Sequence, residues 1–149
     1  MKVLLAVDGS DHADKALTYY FANIHKEGNE VIVYSHAKIP GIPKTWLGGM
    51  PMLTHEEIDR LIANHKKECH DLKEKLKKKC EQYGDNITVS VESHDGGAGC
   101  NIIKKAESSE AGLIVTGTRG LGKISSTVLG SVSDYVLHHA KIPVIICHT

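Results

Sequence analysis

Glycine punctuates one stretch of this chain in a way that could do chemistry. Gly117, Gly120, Gly122 and Gly130 stand among Thr118, Arg119, Lys123 and Ser131. Glycine lets backbone N–H groups come close to a phosphate and admits positive φ. Arg119 and Lys123 are cations within the same stretch, able to offset phosphate charge. Ser131 can cap a helix, and a helix that starts there adds free N–H groups and the positive end of its dipole. A second candidate segment is Asp8, Gly9 and Ser10, which closes the apolar run Val3, Leu4, Leu5, Ala6, Val7.

Two phosphate-binding motifs come close and fail. Gly117, four residues, Gly122 and Lys123 nearly make a P-loop, but Ile124 stands where Ser or Thr must hold Mg²⁺. A dinucleotide fingerprint needs three glycines after the first strand, and only Gly9 is there.

The elements that must position these segments follow from the apolar pattern. Residues 3–7 suit a strand buried on both faces. Ala13, Ala16, Leu17, Tyr20, Phe21 and Ile24 mark one face of a helix capped by Ser10, with Gly28 as a stop. Val31, Ile32, Val33 and Tyr34 begin a second strand that reaches about His36. Residues 37–53 read as an irregular loop holding Pro40, Pro43, Pro51 and the only tryptophan, Trp46. Thr54 and Glu57 form a capping box for a long helix with Ile58, Leu61, Ile62, Cys69, Leu72, Leu76 and Tyr83 on its apolar stripe, ended by Gly84. Ile87, Val89 and Val91 alternate with polar residues, as in an edge strand. A turn at 95–99, a short helix with Ile102, Ile103 and Ala106, and a strand with Leu113, Ile114 and Val115 follow. After the glycine stretch, Val132, Val136 and Ala140 mark the buried side of a last helix, and residues 143–147 a last strand. Strands alternating with helices imply an α/β protein: an open parallel sheet with helices on both faces, joined by right-handed crossovers. Such sheets bind ligands beyond the carboxyl ends of their strands, where the strand order reverses, and both candidate segments fall at strand ends.

Composition sets the bounds. The 149 residues suit one domain, 1–149, and 41% are hydrophobic. With 18 basic and 18 acidic residues the chain has no net charge to grip nucleic acid. No apolar run approaches membrane-spanning length, and the apolar start is too short for a secretory signal, so a cytoplasmic protein is expected. Cys69, Cys80, Cys100 and Cys147 lack CxxC spacing, and the ten histidines form no metal-binding pattern.

Gly117-x2-Gly120-x9-Gly130-Ser131, together with Asp8, His36-Ala37 and the closing Pro143-Val144, resembles the ATP-binding subgroup of the universal stress protein family over nearly the whole chain. The resemblance implies a Rossmann-like, single-domain, five-stranded parallel sheet in the order 3-2-1-4-5. It implies that Asp8 and the backbone of Ala6 and Val7 lie beside adenosine, and that the backbone of Ala37 reads the adenine edge. Gly117, Thr118, Arg119, Gly120, Gly122, Lys123, Gly130, Ser131, Val132 and Ser133 would line the ribose and phosphates, with any Mg²⁺ held mainly by the phosphates. One departure is Gly96, Gly97, Ala98 and Gly99, where the family usually reads Gly-Asp-Pro. The function implied is an adenine-nucleotide switch in stress response, with slow or no hydrolysis; the competing function is a slow ATPase. The resemblance also points to a homodimer through the last strand. Val144, Ile145 and Ile146 are apolar on both faces of what would be an unprotected edge.

Overall fold

Val3, Leu4 and Leu5 are almost wholly buried in the computed structural model, which describes residues 1–41, 46–47, 50–51, 53–118 and 129–148. They form β1 (Lys2–Ala6), the central strand. Around it stand β2 (Glu30–His36), β5 (Ile87–Glu92), β6 (Leu113–Gly117) and β7 (Val144–Cys147), in the order β5-β2-β1-β6-β7 with every pairing parallel. Counting these five alone, the order is 3-2-1-4-5, as the resemblance implied. A separate two-residue antiparallel ribbon, β3 (Trp46–Leu47) with β4 (Met50–Pro51), lies in the stretch read from sequence as irregular.

Because successive strand residues face opposite sides, each strand feeds two cores. Val3, Leu5, Val31, Val33 and Val115 pack against α1 (Asp11–Asn23) and the end of α2 (His55–Cys80). Leu4, Ala6, Tyr34 and Ile114 pack against α3 (Ala98–Ser108) and α4 (Ser131–His139). Two of the three N-caps read from sequence are present. Ser10 Oγ accepts from Ala13 N–H, and Thr54 and Glu57 form the reciprocal capping box.

Three expectations are corrected. The cap of α4 is Gly130, at φ −65° and ψ 146°, and Ser131 is the first helical residue. Val136 is buried as expected, but Val132, in the first turn, is 37% exposed and Ser133 takes the buried position beside Val136. The stripe on α2 is only partly used: Leu76 and Cys80 are buried, but Leu61 and Ile62 are exposed. The helix has 26 residues, about 39 Å at 1.5 Å each, whereas a six-residue strand spans about 20 Å. α2 meets Ser93, just past β5, at His65 and Cys69. Everything before His65 therefore runs on beyond the carboxyl end of the sheet.

Candidate nucleotide site

β1 leads through α1 to β2 on one side of the sheet, whereas β6 leads through α4 to β7 on the other, so the order reverses between β1 and β6. β1 stops early there. Ala6 is its last residue and pairs with Tyr34 and Thr116, yet β2 continues to His36 and β6 to Gly117. The longer neighbours are held by their outer partners, β5 and β7. The result is a notch at the carboxyl end of the central strand, with Ala6, Val7 and Asp8 as its floor.

The floor is rigid. Val7 N–H donates to Tyr34 O at 2.9 Å. Asp8 Oδ1 accepts from Ser10 N–H at 3.0 Å and from Ser10 Oγ–H at 2.6 Å. Gly9 has φ +77°, which a side chain rarely adopts, and a Cβ there would sit 2.8 Å from Leu72 Cδ1. Glycine is thus what lets the chain turn from Asp8 into α1 beneath α2.

The β6 side of the notch is built by Thr118 and Gly130. Thr118, 7% exposed, donates its N–H to Cys147 O at 3.0 Å. Thr118 O accepts from Gly130 N–H at 2.8 Å, so the two ends of the glycine stretch are joined. Ser133 Oγ lies 2.8 Å from Gly130 O and 3.2 Å from Thr118 O, and its proton is shared between these carbonyls. The N-terminus of α4, with Ser131 and Val132, is thereby fixed beside the end of β6. Arg119, Gly120, Gly122 and Lys123 lie outside the described residues.

Ala37 forms the far rim, three positions beyond Tyr34 and so about 10 Å further along β2. Its N–H donates to Glu92 O at 2.9 Å, and its carbonyl has no backbone partner among the described residues. The structure thus brings the ends of β1 and β6 and the start of α4 together, and sets Ala37 apart on the opposite rim.

Sequence reasoning missed a polar cluster behind that rim. Both ring nitrogens of His36 are buried without a partner among the described residues. Burial, and then the neighbouring His94, push the imidazole below its ordinary pKa. Glu92 accepts from Ser90 Oγ–H at 2.6 Å and pairs with Lys105 and with His94 Nε2, the latter at 3.2 Å. Burial raises this carboxyl, but the hydrogen bonds from Lys105, Ser90 and His94 and the Lys105 charge outweigh it and hold the pKa at about 2. Burial and the Glu92 charge push the Tyr34 phenol up to about 12. The register of β2 on β5, which sets His36 opposite Glu92, creates this cluster, and no sequence motif announces it. Among the described residues no group of three or more His, Cys, Asp or Glu could hold a metal ion, and no helix is long and apolar enough to cross a membrane.

An open parallel sheet with helices on both faces, notched where its strand order reverses, defines a doubly wound α/β protein with a Rossmann-like fold. The sequence profile of the universal stress protein family matches residues 1–148. The chain belongs to that family. It is 28% identical to universal stress protein YxiE of Bacillus subtilis, an alignment covering 97% of each chain. It is 31% identical to a universal stress protein of Thermus aquaticus, covering 97% of this chain and 96% of the relative. Among solved structures it is similar to UspA from Lactobacillus plantarum, with a TM-score of 0.77, 20% identity, and 98% and 96% of the two chains covered. A universal stress protein from Arabidopsis thaliana solved with AMP bound superposes with a TM-score of 0.67, at 18% identity and over 99% and 91% of the chains. Another, in complex with cAMP, gives 0.59 at 19% identity over 99% and 96%.

Proposed function

We propose that this protein binds ATP, or a close adenine nucleotide, across the notch between β1 and β6, and acts as a nucleotide-dependent switch with slow or no hydrolysis. The observation that carries the reading is the clip between Thr118 and Gly130, which fixes the N-terminus of α4 beside the recessed end of β1. In this reading Asp8 meets the ribose, the Ala37 carbonyl accepts from the adenine amino group, and the free N–H groups at Ser131 and Val132 receive phosphate oxygens. Arg119, Gly120, Gly122 and Lys123 complete the phosphate lining, and Mg²⁺ is carried mainly by the phosphates. Relatives of the same fold solved with AMP and with cAMP support an adenine ligand. Occupancy would set the conformation of the site's surroundings, and protein partners would read that state.

The test is calorimetry with ATP, AMP and cAMP on the purified chain, together with mass spectrometry of any small molecule released on denaturation. Micromolar ATP binding is expected, about −8 kcal/mol. Gly130→Val should remove it. The backbone at Gly130 is at φ −65° and ψ 146°, open to any residue, so the substitution adds a side chain at the phosphates without backbone strain. Unchanged affinity in a folded Gly130→Val protein would refute the assignment.

A further inference from the structure

The cysteines occupy unlike environments. Cys80 and Cys147 are buried, and burial pushes both thiols above their ordinary pKa, which keeps them protonated and inert. Cys69 is only partly buried and has company. On α2, His65 and Cys69 stand four positions apart, hence on one side of the helix. Both are turned toward Ser93, the first residue beyond β5. His65 Nε2 lies 2.8 Å from Ser93 Oγ and 3.7 Å from Cys69 Sγ, and Sγ lies 3.6 Å from Ser93 Oγ. His65 and Ser93 are likewise only partly buried, which leaves the group open to a small solute. Nothing in the nucleotide reading uses this cluster.

A thiol within hydrogen-bonding reach of an imidazole has the geometry of an activated nucleophile. The imidazole takes the S–H proton, and the imidazolium then faces the thiolate. Ser93 closes the triangle: its oxygen can accept from His65 Nε2–H while its own O–H donates to the sulfur. We propose that Cys69 is a reactive thiol that reduces a peroxide, with His65 as its base. In the step, the Cys69 proton passes to His65 Nε2 and a sulfur electron pair attacks one peroxide oxygen. An S–O bond forms and the O–O bond breaks. For hydrogen peroxide the leaving hydroxide takes the proton back from His65 and departs as water. The sulfur is oxidised to sulfenic acid and the peroxide is reduced. The sulfur has neighbours within 3.7 Å on two sides, which suits a two-oxygen oxidant better than a bulky electrophile. Cys80 lies eleven positions later on the same helix, about 16 Å along its axis and out of disulfide range. Sulfenic acid is therefore the species to trap.

The experiment treats the full, reduced chain with hydrogen peroxide at neutral pH, traps sulfenic acid with dimedone, and follows each cysteine by peptide mass. An unassisted thiol is about 3% thiolate at pH 7, so complete activation can raise the rate by at most about 30-fold. Labelling of Cys69 is expected to run at least about ten-fold faster than that of Cys100, the other partly buried cysteine, and to fall about ten-fold in His65→Gln. The same chain in urea is the control that needs no variant: unfolding should erase the advantage of Cys69 over Cys100. Equal rates for the two cysteines in the folded chain, an advantage that survives in urea, or a folded His65→Gln protein with an unchanged Cys69 rate would overturn the proposal.

Discussion

Replacing Gly99 by alanine should destabilise this protein, although alanine is the better helix former. Gly99 is buried in the first turn of α3, where that helix crosses α4. A Cβ there would lie 2.7 Å from Tyr135 Cδ1 and 3.0 Å from Tyr135 Cβ and Cγ. The Tyr135 ring cannot simply swing aside. It is stacked on His139 with centroids 4.0 Å apart, and its Cβ moves only with the α4 backbone. Helix propensity favours alanine by at most about 1 kcal/mol, while forcing a methyl into a filled contact costs about 1–3 kcal/mol. The net loss should be about 1 kcal/mol, or about 3 °C in Tm for a chain of this size. Thermal unfolding followed by circular dichroism measures it. A double-mutant cycle isolates the cause: in a Tyr135→Ala background the same Gly99→Ala change should turn neutral or stabilising. A rise in Tm on the wild-type background, or an equal loss on both, would refute the reasoning. Since α4 carries Ser131 and Val132 at its start, Gly99→Ala should also weaken nucleotide binding.

Glu92→Gln should lower stability by about 1–2 kcal/mol near neutral pH, taking about 3 kcal/mol from the shift and discounting it for partial exposure. Because the folded carboxyl is depressed to about 2, its contribution is complete above the ordinary pKa of about 4.3 and fades as pH falls toward 2; urea titrations of both proteins should therefore converge across that window. Light scattering should give about twice the 16.2 kDa chain mass at tens of micromolar if β7 pairs with its copy. Ile146→Lys should shift it to monomer without opening the core, since Val144 and Ile145 pack onto the two clusters and Ile146 joins neither; a wild-type monomer would refute the dimer. Steady-state ATP turnover should fall far below about 10 per second, the enzyme median. Asp8 is engaged by Ser10, Glu92 by Lys105 and Asp134 by His138; a rate of that size abolished by one substitution would mean an enzyme.

The strands were legible because burial on both faces turns them into near-continuous apolar runs, as in residues 3–7 and 113–115. Ser10 and Thr54 were legible because their side chains perform the capping themselves. Gly130 was not, because a cap without a side-chain bond is decided by backbone angles, and its neighbour Ser131 looked the better candidate. Leu61 and Ile62 fit the periodicity of α2 and are nonetheless exposed, since periodicity reports a face and not how far the sheet beneath it extends. The roles of Asp8 and Ala37 came from resemblance, while the facts that Asp8 is tied to Ser10 and that the Ala37 N–H is spent on Glu92 needed register. His36, Glu92 and Lys105 come from three separate elements, united by the pairing of β2 with β5 and by the packing of α3 against that edge.

The pairing of Val3 with Leu113 has a consequence for how the protein comes into being. It joins the first strand to one that leaves the ribosome only after most of the chain has been made. Closing so large a loop is slow relative to local pairing, so β1 and β2 can associate while β1 still offers an open edge toward the missing β6. Neither the notch nor the loop clip exists at that stage. A ligand that needs both, as proposed for the nucleotide, could bind only once β6 and α4 are in place, and its binding free energy would stabilise the whole fold rather than either half.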